Sequence, residues 1–353
     1  SGVIPLPVDD LDKAGLLAAL RNNLSYWQGK PDSFKVSIGK DSFSSSWMSR
    51  TTQQLIDLFS SDMSPAALRS ALESRFRIYR SVADDGTGKV VITGYYEAEI
   101  KAVRTPDAVN RFPIYLRPAD LIKTTPDMGV DFDYGRRDES GVLVRHYPRE
   151  EISGGALDGK GLELAWSEHP AWIMLLQIQG SGVLRFPDGD SMKVGFNGAN
   201  GWPFKSVQKI LTDCGEVAPM SFKKFIDYLT TQGDRESRLV DLNPRYVYFQ
   251  SRPKDSPAYG AMGVGLVPGR SIAVDPAPIP LGVTALLSSR RPVAASDGSL
   301  SFKDFTRFVA AQDTGAAIRG PGRIDLFWGG GDTAFTEASS MKAPGDLYIF
   351  VAK

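Results

Sequence analysis

Beyond Arg245 the chain falls into short runs of β-branched and aromatic residues punctuated by proline and glycine, and this punctuation constrains the fold more than any other feature. RYVYFQ from Arg245, RSIAVDP from Arg270 and GVTALLSS from Gly282 each read as a strand of a few residues. Strands so short and so often interrupted favour a small closed barrel over an open parallel sheet. The first eighty residues read differently. Leu17, Leu20, Leu24 and Trp27 recur at helical spacing. Ser64-Pro65 ahead of Leu68, Leu72 and Phe76 is an N-cap, a proline at the first helical position and an i, i+4, i+8 stripe. RIYRSVA and KVVITGYY then predict a hairpin turning at Asp84-Asp85-Gly86-Thr87-Gly88.

From about residue 101 to 238 the pattern is mixed. WIMLLQIQ around Ile173 predicts a strand, residues 206–213 and 221–230 predict helices, and the charged run GDRESR from Gly233 predicts a solvent-exposed boundary. No internal repeat or low-complexity segment interrupts this order. A chain of 353 residues suits two domains, each able to bury its own core.

Composition narrows the function classes. With 41 basic and 41 acidic residues there is no electrostatic footprint for nucleic acid or an anionic membrane surface. Cys214 is the only cysteine, which excludes a disulfide framework and a cysteine-based zinc site. His146 and His169 are too few for a histidine-rich metal centre, so neither metal nor cofactor is expected. No apolar run of about 18 residues exists, and the start Ser1-Gly2-Val3 lacks the regions of a signal peptide. The chain is expected to be soluble as given, with a small Ser-Gly start that reads as a trimmed end from which an export signal or lipid anchor has gone.

Chemistry concentrates in AAQDTGAAIRGPGRIDLFWGGG, from Ala310 to Gly331. Asp313-Thr314-Gly315 invites an aspartic protease, but such enzymes need two facing loops whose carboxylates share a proton, and this chain has one, with Gln312 where an apolar residue is expected. A glycosidase needs carboxylates flanking a sugar bond. Asp275, Asp313 and Asp325 all lie near ends of strand-like segments, where a barrel gathers them at one rim. Asp before Pro or Gly commonly caps a turn. Asp325 is different, because Ile324 precedes it and Leu326, Phe327 and Trp328 follow. Such surroundings desolvate a carboxyl and raise its pKa, while Arg319 and Arg323 act the other way if they approach.

Sugar recognition pairs flat apolar faces with planar hydrogen-bonding groups. Thr93-Gly94-Tyr95-Tyr96-Glu97 offers two rings and a carboxylate. Gln177 and Gln179 place amides on one face of the expected strand ahead of a Gly180-Ser181-Gly182 turn, and Asn200-Gly201-Trp202 adds a third cluster. Singly each is more often structural, since strand aromatics usually pack. Together they point to a neutral, hydroxylated polymer.

These segments together resemble the membrane-bound lytic transglycosylase A family of bacterial cell-wall enzymes. TGYYEAE from Thr93, FPIYLRP from Phe112, LLQIQGSGVLRFPDG from Leu175, NPRYVYFQ from Asn243, GLVPGRSIAVDPAPIPLG from Gly265 and QDTGAAIRGPGRIDLFWG from Gln312 carry the likeness, in order, over roughly residues 90 to 350. The last two blocks resemble the three-aspartate (3D) domain, whose aspartates correspond to Asp275, Asp313 and Asp325. The resemblance implies a mainly β chain with N-terminal helices: a double-psi β-barrel of the barwin and endoglucanase type, residues 1–100 with 240–353, interrupted by a β-rich domain, residues 101–239, that forms the other wall of a glycan groove. It implies Asp325 as catalytic acid, with Asp313 and Asp275 supporting and the three polar-aromatic clusters on the glycan. Two departures stand out: Ala98 replaces a proline, and Trp202-Pro203-Phe204 replaces His-Pro-Tyr.

The activity so implied is cleavage of the β-1,4 bond between N-acetylmuramic acid and N-acetylglucosamine with formation of 1,6-anhydro ends. Peptidoglycan strands are the expected partner, together with other cell-wall enzymes, for a monomer in the periplasm attached to the outer membrane by a removed lipid anchor. A hydrolase on the same barrel, a non-catalytic glycan-loosening module and a barrel-built peptidase are the alternatives.

Overall fold

The structure, a computed structural model, describes residues 4–83, 85–295 and 299–353. Ser1, Gly2 and Val3 of the start, and Asp84 of the expected turn, lie outside the described residues. The chain divides into two compact units, Ser1–Tyr96 with Tyr259–Lys353, and Glu97–Ala258.

Helix α1 (Lys13–Gln28) begins where the Asp12 carboxylate accepts the Gly15 N–H; of the expected stripe Leu20 and Trp27 are buried, Leu17 and Leu24 half-buried, and Leu16 joins the buried face. A small hairpin, β1 (Lys35–Ile38) with β2 (Asp41–Ser44), leads into α2 (Ser45–Ser60), capped by the Ser44 hydroxyl. Ser64 caps α3 (Pro65–Arg75), with Pro65 in the first turn. Phe76, expected on that helix, instead opens β3 (Phe76–Ser81), which β4 (Val90–Lys101) follows. The expected hairpin of β3 with β4 does not form a ladder. Both strands pair with a later one, and a backbone bond from Ala83 N–H to Lys89 O ties the turn between them.

The second unit opens with β5 (Phe112–Tyr115), which pairs with β9 (Glu163–Ser167). Between them come β6 (Ile122–Lys123), β7 (Tyr134–Arg137) and β8 (Leu143–Arg145) as a three-stranded sheet, and the short helix α4 (Arg149–Ser153). WIMLLQIQ, expected as a strand, is helix α5 (Pro170–Gln179). An apolar run buried over most of its surface has little periodicity to read, and the brackets decide: Pro170 at the start and Gly180 in the left-handed region at φ 78° are helix ends. Strands β10 (Ser181–Arg185) and β11 (Ser191–Ala199), helices α6 (Val207–Asp213), α7 (Phe222–Thr230) and α8 (Arg235–Val240), and strand β12 (Val247–Arg252) complete the unit. Most of the charged run from Gly233 is solvent-exposed, as expected, but from Arg235 it forms α8 inside the unit. Its Glu236, 5% exposed, accepts the Ala171 N–H at the start of α5 and pairs with His169.

The chain then supplies β13 (Ser271–Ala273), β14 (Thr284–Ala294), β15 (Leu300–Asp313), β16 (Arg323–Gly330), α9 (Asp332–Ser340) and β17 (Lys342–Ala352). The ladder runs β4-β16-β13-β15-β14-β17 and returns to β4, closing a six-stranded barrel. Strand alternation sorts its side chains. Ile92, Ile272, Leu287, Val309, Ile324, Leu326 and Val351 fill one buried cluster drawn from all six strands. Their neighbours Leu286, Phe308 and Phe350 face the other way, into a second cluster with Leu16, Leu20, Leu55 and Phe59 of α1 and α2. The closed barrel expected from the punctuated tail is what forms.

Candidate active site

The same alternation decides which residues of β16 and β4 leave the barrel interior. Ile324 and Leu326 point in, so Asp325 points out; Ile92 points in, so Thr93 and Tyr95 point out. Each of the two β4 residues meets one carboxylate. Thr93 Oγ1 donates to Asp325 Oδ1 at 2.8 Å, and the Tyr95 hydroxyl donates to Asp313 Oδ2 at 3.0 Å. Gly94 between them has no room for a side chain: a Cβ would come 2.5 Å from Trp328 Nε1 and 2.8 Å from the Ala338 backbone. Tyr95 packs on Phe327 with ring centroids 5.2 Å apart, and Tyr96 stacks on Phe335 of α9 at 4.5 Å.

Burial is the leading cause of the electrostatics here. It pushes the Asp325 carboxyl up to about 6, with the Thr93 hydrogen bond and the Arg323 charge pulling down and the Asp313 charge adding a smaller push up. Burial also raises Asp313 to about 6, against the Ala261 and Thr314 N–H groups, each 2.8 Å from its Oδ1, and the Tyr95 hydroxyl. The Tyr95 phenol is held well above its ordinary range by burial and the two carboxylates, so it is a hydrogen-bond donor. Asp313 is thus more than the turn residue that its Asp-Thr-Gly suggests. Gln312 beside it is fully buried and donates to Ala19 O and Asn23 Oδ1 of α1, which accounts for an amide in an apolar position.

Asp275 does not join this pair. Its carboxylate accepts the Ala277 and Gly320 N–H groups at 3.2 and 2.8 Å, bracing the loops on which the strands end. The Ala261 N–H was not foreseen. Glycines at 260 and 263 mark a tight loop there, but nothing local to that loop points to Asp313.

In the second unit, Glu97 pairs with Lys193 at 3.2 Å. Gln177 lies on α5 rather than a strand face and is buried, with its amide engaged by Arg149 at 2.6 Å and Val247 O at 3.1 Å, so its substrate-facing reading is corrected to an internal strut. Gln179 ends the same helix, Gly180 is its left-handed cap, and Ser181 and Gly182 begin β10 rather than a turn, Gly182 lying against the Ala98 carbonyl. Asn200 is fully buried. Its Nδ2 donates to Tyr147 O and Pro244 O, and its Oδ1 accepts the Tyr246 N–H, so it too is an internal node. Gly201, at φ 78°, sits where the Tyr134 carbonyl would collide with any Cβ. Among the described residues no group of three or more His, Cys, Asp or Glu could hold a metal ion, and no helix is long and apolar enough to cross a membrane.

Comparison with known proteins places these residues in context. Residues 91–250 match the MltA specific insert domain and residues 270–351 the 3D domain. The chain is 32% identical over 269 residues to membrane-bound lytic murein transglycosylase A of Escherichia coli strain K12, covering 75% of this chain and 66% of that protein, so it spans about two thirds of the relative's length. The crystal structure of a membrane-bound lytic murein transglycosylase from Agrobacterium tumefaciens superposes with a TM-score of 0.77 at 28% identity, over 97% of this chain and 93% of that one. The structure of E. coli MltA with bound chitohexaose superposes at 0.72 and 25% identity, over 100% and 92%. The mainly β architecture with a double-psi barrel and a β-rich insert, expected from the sequence, is the fold these proteins share.

Proposed function

The chain belongs to the membrane-bound lytic murein transglycosylase A family, and from that premise we propose that it cleaves the β-1,4 bond between N-acetylmuramic acid and N-acetylglucosamine in murein without adding water. The observation that carries this reading is the state of Asp325, a partly buried carboxyl raised to about 6 on the outer face of a rigid barrel strand, held by one hydroxyl. Such a group keeps a proton near neutral pH and can still release it.

Asp325 delivers its proton to the glycosidic oxygen, and the bond from that oxygen to C1 of the muramyl residue breaks. The O6 hydroxyl of the same residue bonds to C1 and closes the 1,6-anhydro ring, while the O6 proton returns to the Asp325 carboxylate. One carboxylate suffices because the nucleophile belongs to the substrate and is already close, so no water needs positioning. General acid and base help of this kind contributes roughly 10² to 10⁴ in rate. The rest falls to ring distortion and to dipoles at the oxocarbenium-like centre.

Asp313 acts in support by holding Tyr95 and the Ala261 loop beside the acid, and Asp275 supports from further out by bracing the strand-end loops. Thr93 and Tyr95 are the residues best placed to meet the sugar next to Asp325, with Glu97 further along β4. The E. coli relative with bound chitohexaose supports a glycan strand as ligand. A site in the cell envelope follows from the substrate and from the membrane-bound relatives, and we propose the periplasm and a lipid anchor on the same basis.

Digestion of purified murein sacculi by wild type and Asp325→Asn, read by mass spectrometry, tests the reading. Anhydro ends from wild type and none from the variant are expected. Free reducing ends would instead make the chain a hydrolase, intact glycan with cut peptides a peptidase, and no release at all a binding module.

A further inference from the structure

A pocket of the second unit takes no part in this chemistry. It has a volume of about 410 Å³ and is lined by Phe132, Arg136, Tyr147, Glu151 and Trp202 among others. Its walls are aromatic, and two opposite charges face it without neutralising each other.

Arg136 comes from β7 and lays its guanidinium on the Tyr147 ring, 4.2 Å from the centroid. Its Nε is buried and has no hydrogen-bond partner, which is costly for so strong a donor. Among the described residues no ion pair includes Arg136 or Glu151. Lys160 also lies over the Tyr147 ring, 5.4 Å from its centroid, and the remaining charged groups nearby are engaged. Arg145 pairs with Asp131 at 2.9 Å and donates from Nε to Gly201 O at 3.0 Å. His146 is fully buried, and burial holds its imidazole below the ordinary range, with Asp120 pulling the other way and the Arg136 and Lys160 charges adding to the lowering. Trp202 is fixed as a plate by its Nε1 donating to His146 O at 2.7 Å.

A plain sugar has no use for two unpaired charges of opposite sign, and a phosphate dianion would be repelled by Glu151. What fits is a group carrying both charges next to a short apolar stem. We propose that this pocket binds a zwitterionic amino-acid centre, its carboxylate on Arg136, its ammonium at Glu151 and its stem against Tyr147 and Trp202. Where murein is the substrate, the ligand is the un-cross-linked distal end of a diamino acid in a stem peptide. That identification, unlike the pocket chemistry, rests on the function proposed above.

Titration calorimetry on the full chain tests this with a synthetic stem tripeptide ending in diaminopimelic acid, with the same peptide acetylated on the distal amine or amidated on the distal carboxylate, and with inorganic phosphate. Each blocking group is expected to weaken binding about tenfold or more. Arg136→Gln is expected to lose the preference for the free carboxylate, and Glu151→Gln, on an exposed helix position, the preference for the free amine. Loss of binding in Arg136→Gln counts only if its thermal unfolding matches wild type, and the Glu151→Gln result stands independently of it. No binding by wild type, equal binding of the blocked peptides, or phosphate binding as tightly as the peptide would overturn the proposal. The readout needs no turnover. A chain that binds the peptide but leaves sacculi intact overturns the function alone, and one that cleaves sacculi but ignores the peptide overturns this inference alone.

Discussion

Asp313 and Asp325 stand opposite the same residue, Ala273, on the two sides of strand β13: Asp313 from the parallel neighbour β15 and Asp325 from the antiparallel neighbour β16. Two interstrand spacings put their backbones roughly 9–10 Å apart. Two carboxylates carried at that spacing, each with its own hydrogen-bond donors, are not built to share one proton as a protease dyad does. Each is raised by its own burial, and the charge of Asp313 is the last of the influences on Asp325.

The rate of anhydro-end release should therefore fall as pH rises through about 6, where Asp325 loses its proton in the free enzyme. Asp313→Asn should move that limb to lower pH by only a fraction of a unit, because desolvation outweighs the charge it removes. A pH series of muropeptide release with both proteins checks this, and a limb unmoved from wild type to Asp325→Asn would count against Asp325 as the acid.

Stability should show the opposite side of the same burial. A carboxyl raised in the folded state costs nothing below its unfolded pKa, and the cost grows as pH rises through the folded value of about 6. Asp325→Asn should accordingly be more stable than wild type by about 1–3 kcal/mol at pH 7.5, with the gain vanishing near pH 4. Urea unfolding at the two pH values measures it.

Thr93→Val removes the hydroxyl that favours the ionised form of Asp325. The limb should move to higher pH, and kcat should fall about tenfold as the carboxyl loses its fixed orientation, while thermal stability changes little. A drop in stability without a pH shift would make Thr93 a packing residue only.

Gly94→Ala sets a methyl against the Trp328 indole and the Ala338 backbone, neither of which is a flexible chain end. The variant should lose about 1–3 kcal/mol in denaturant unfolding, with activity reduced in step as Thr93 and Tyr95 shift.

Much of this was legible before any coordinates. Asp325 could be picked out because it interrupts an apolar run, and burial is what raises it. The helix after Ser64-Pro65 was readable from its cap and proline, and that from Ser221 from the spacing of its apolar residues. Where an apolar run lacked period, as in α5, only Pro170 and Gly180 carried the signal, and the strand reading failed. Residue type points Gln177 and Asn200 to substrate, but it cannot tell an amide that faces a ligand from one that satisfies buried polar groups.

The sequence by itself pointed to a closed barrel, through proline and glycine punctuation that favours one over an open parallel sheet, and it singled out the desolvated acid. Tertiary structure alone decided that β3 and β4 pair with successive segments of β17, that Thr93 and Tyr95 each take one carboxylate, and that the Ala261 amide meets Asp313. Those partners are 52 to 232 residues apart along the chain. Local propensity acts over a few residues, whereas a hydrogen bond across a barrel wall depends on register, which is set only when the last strand closes the ladder.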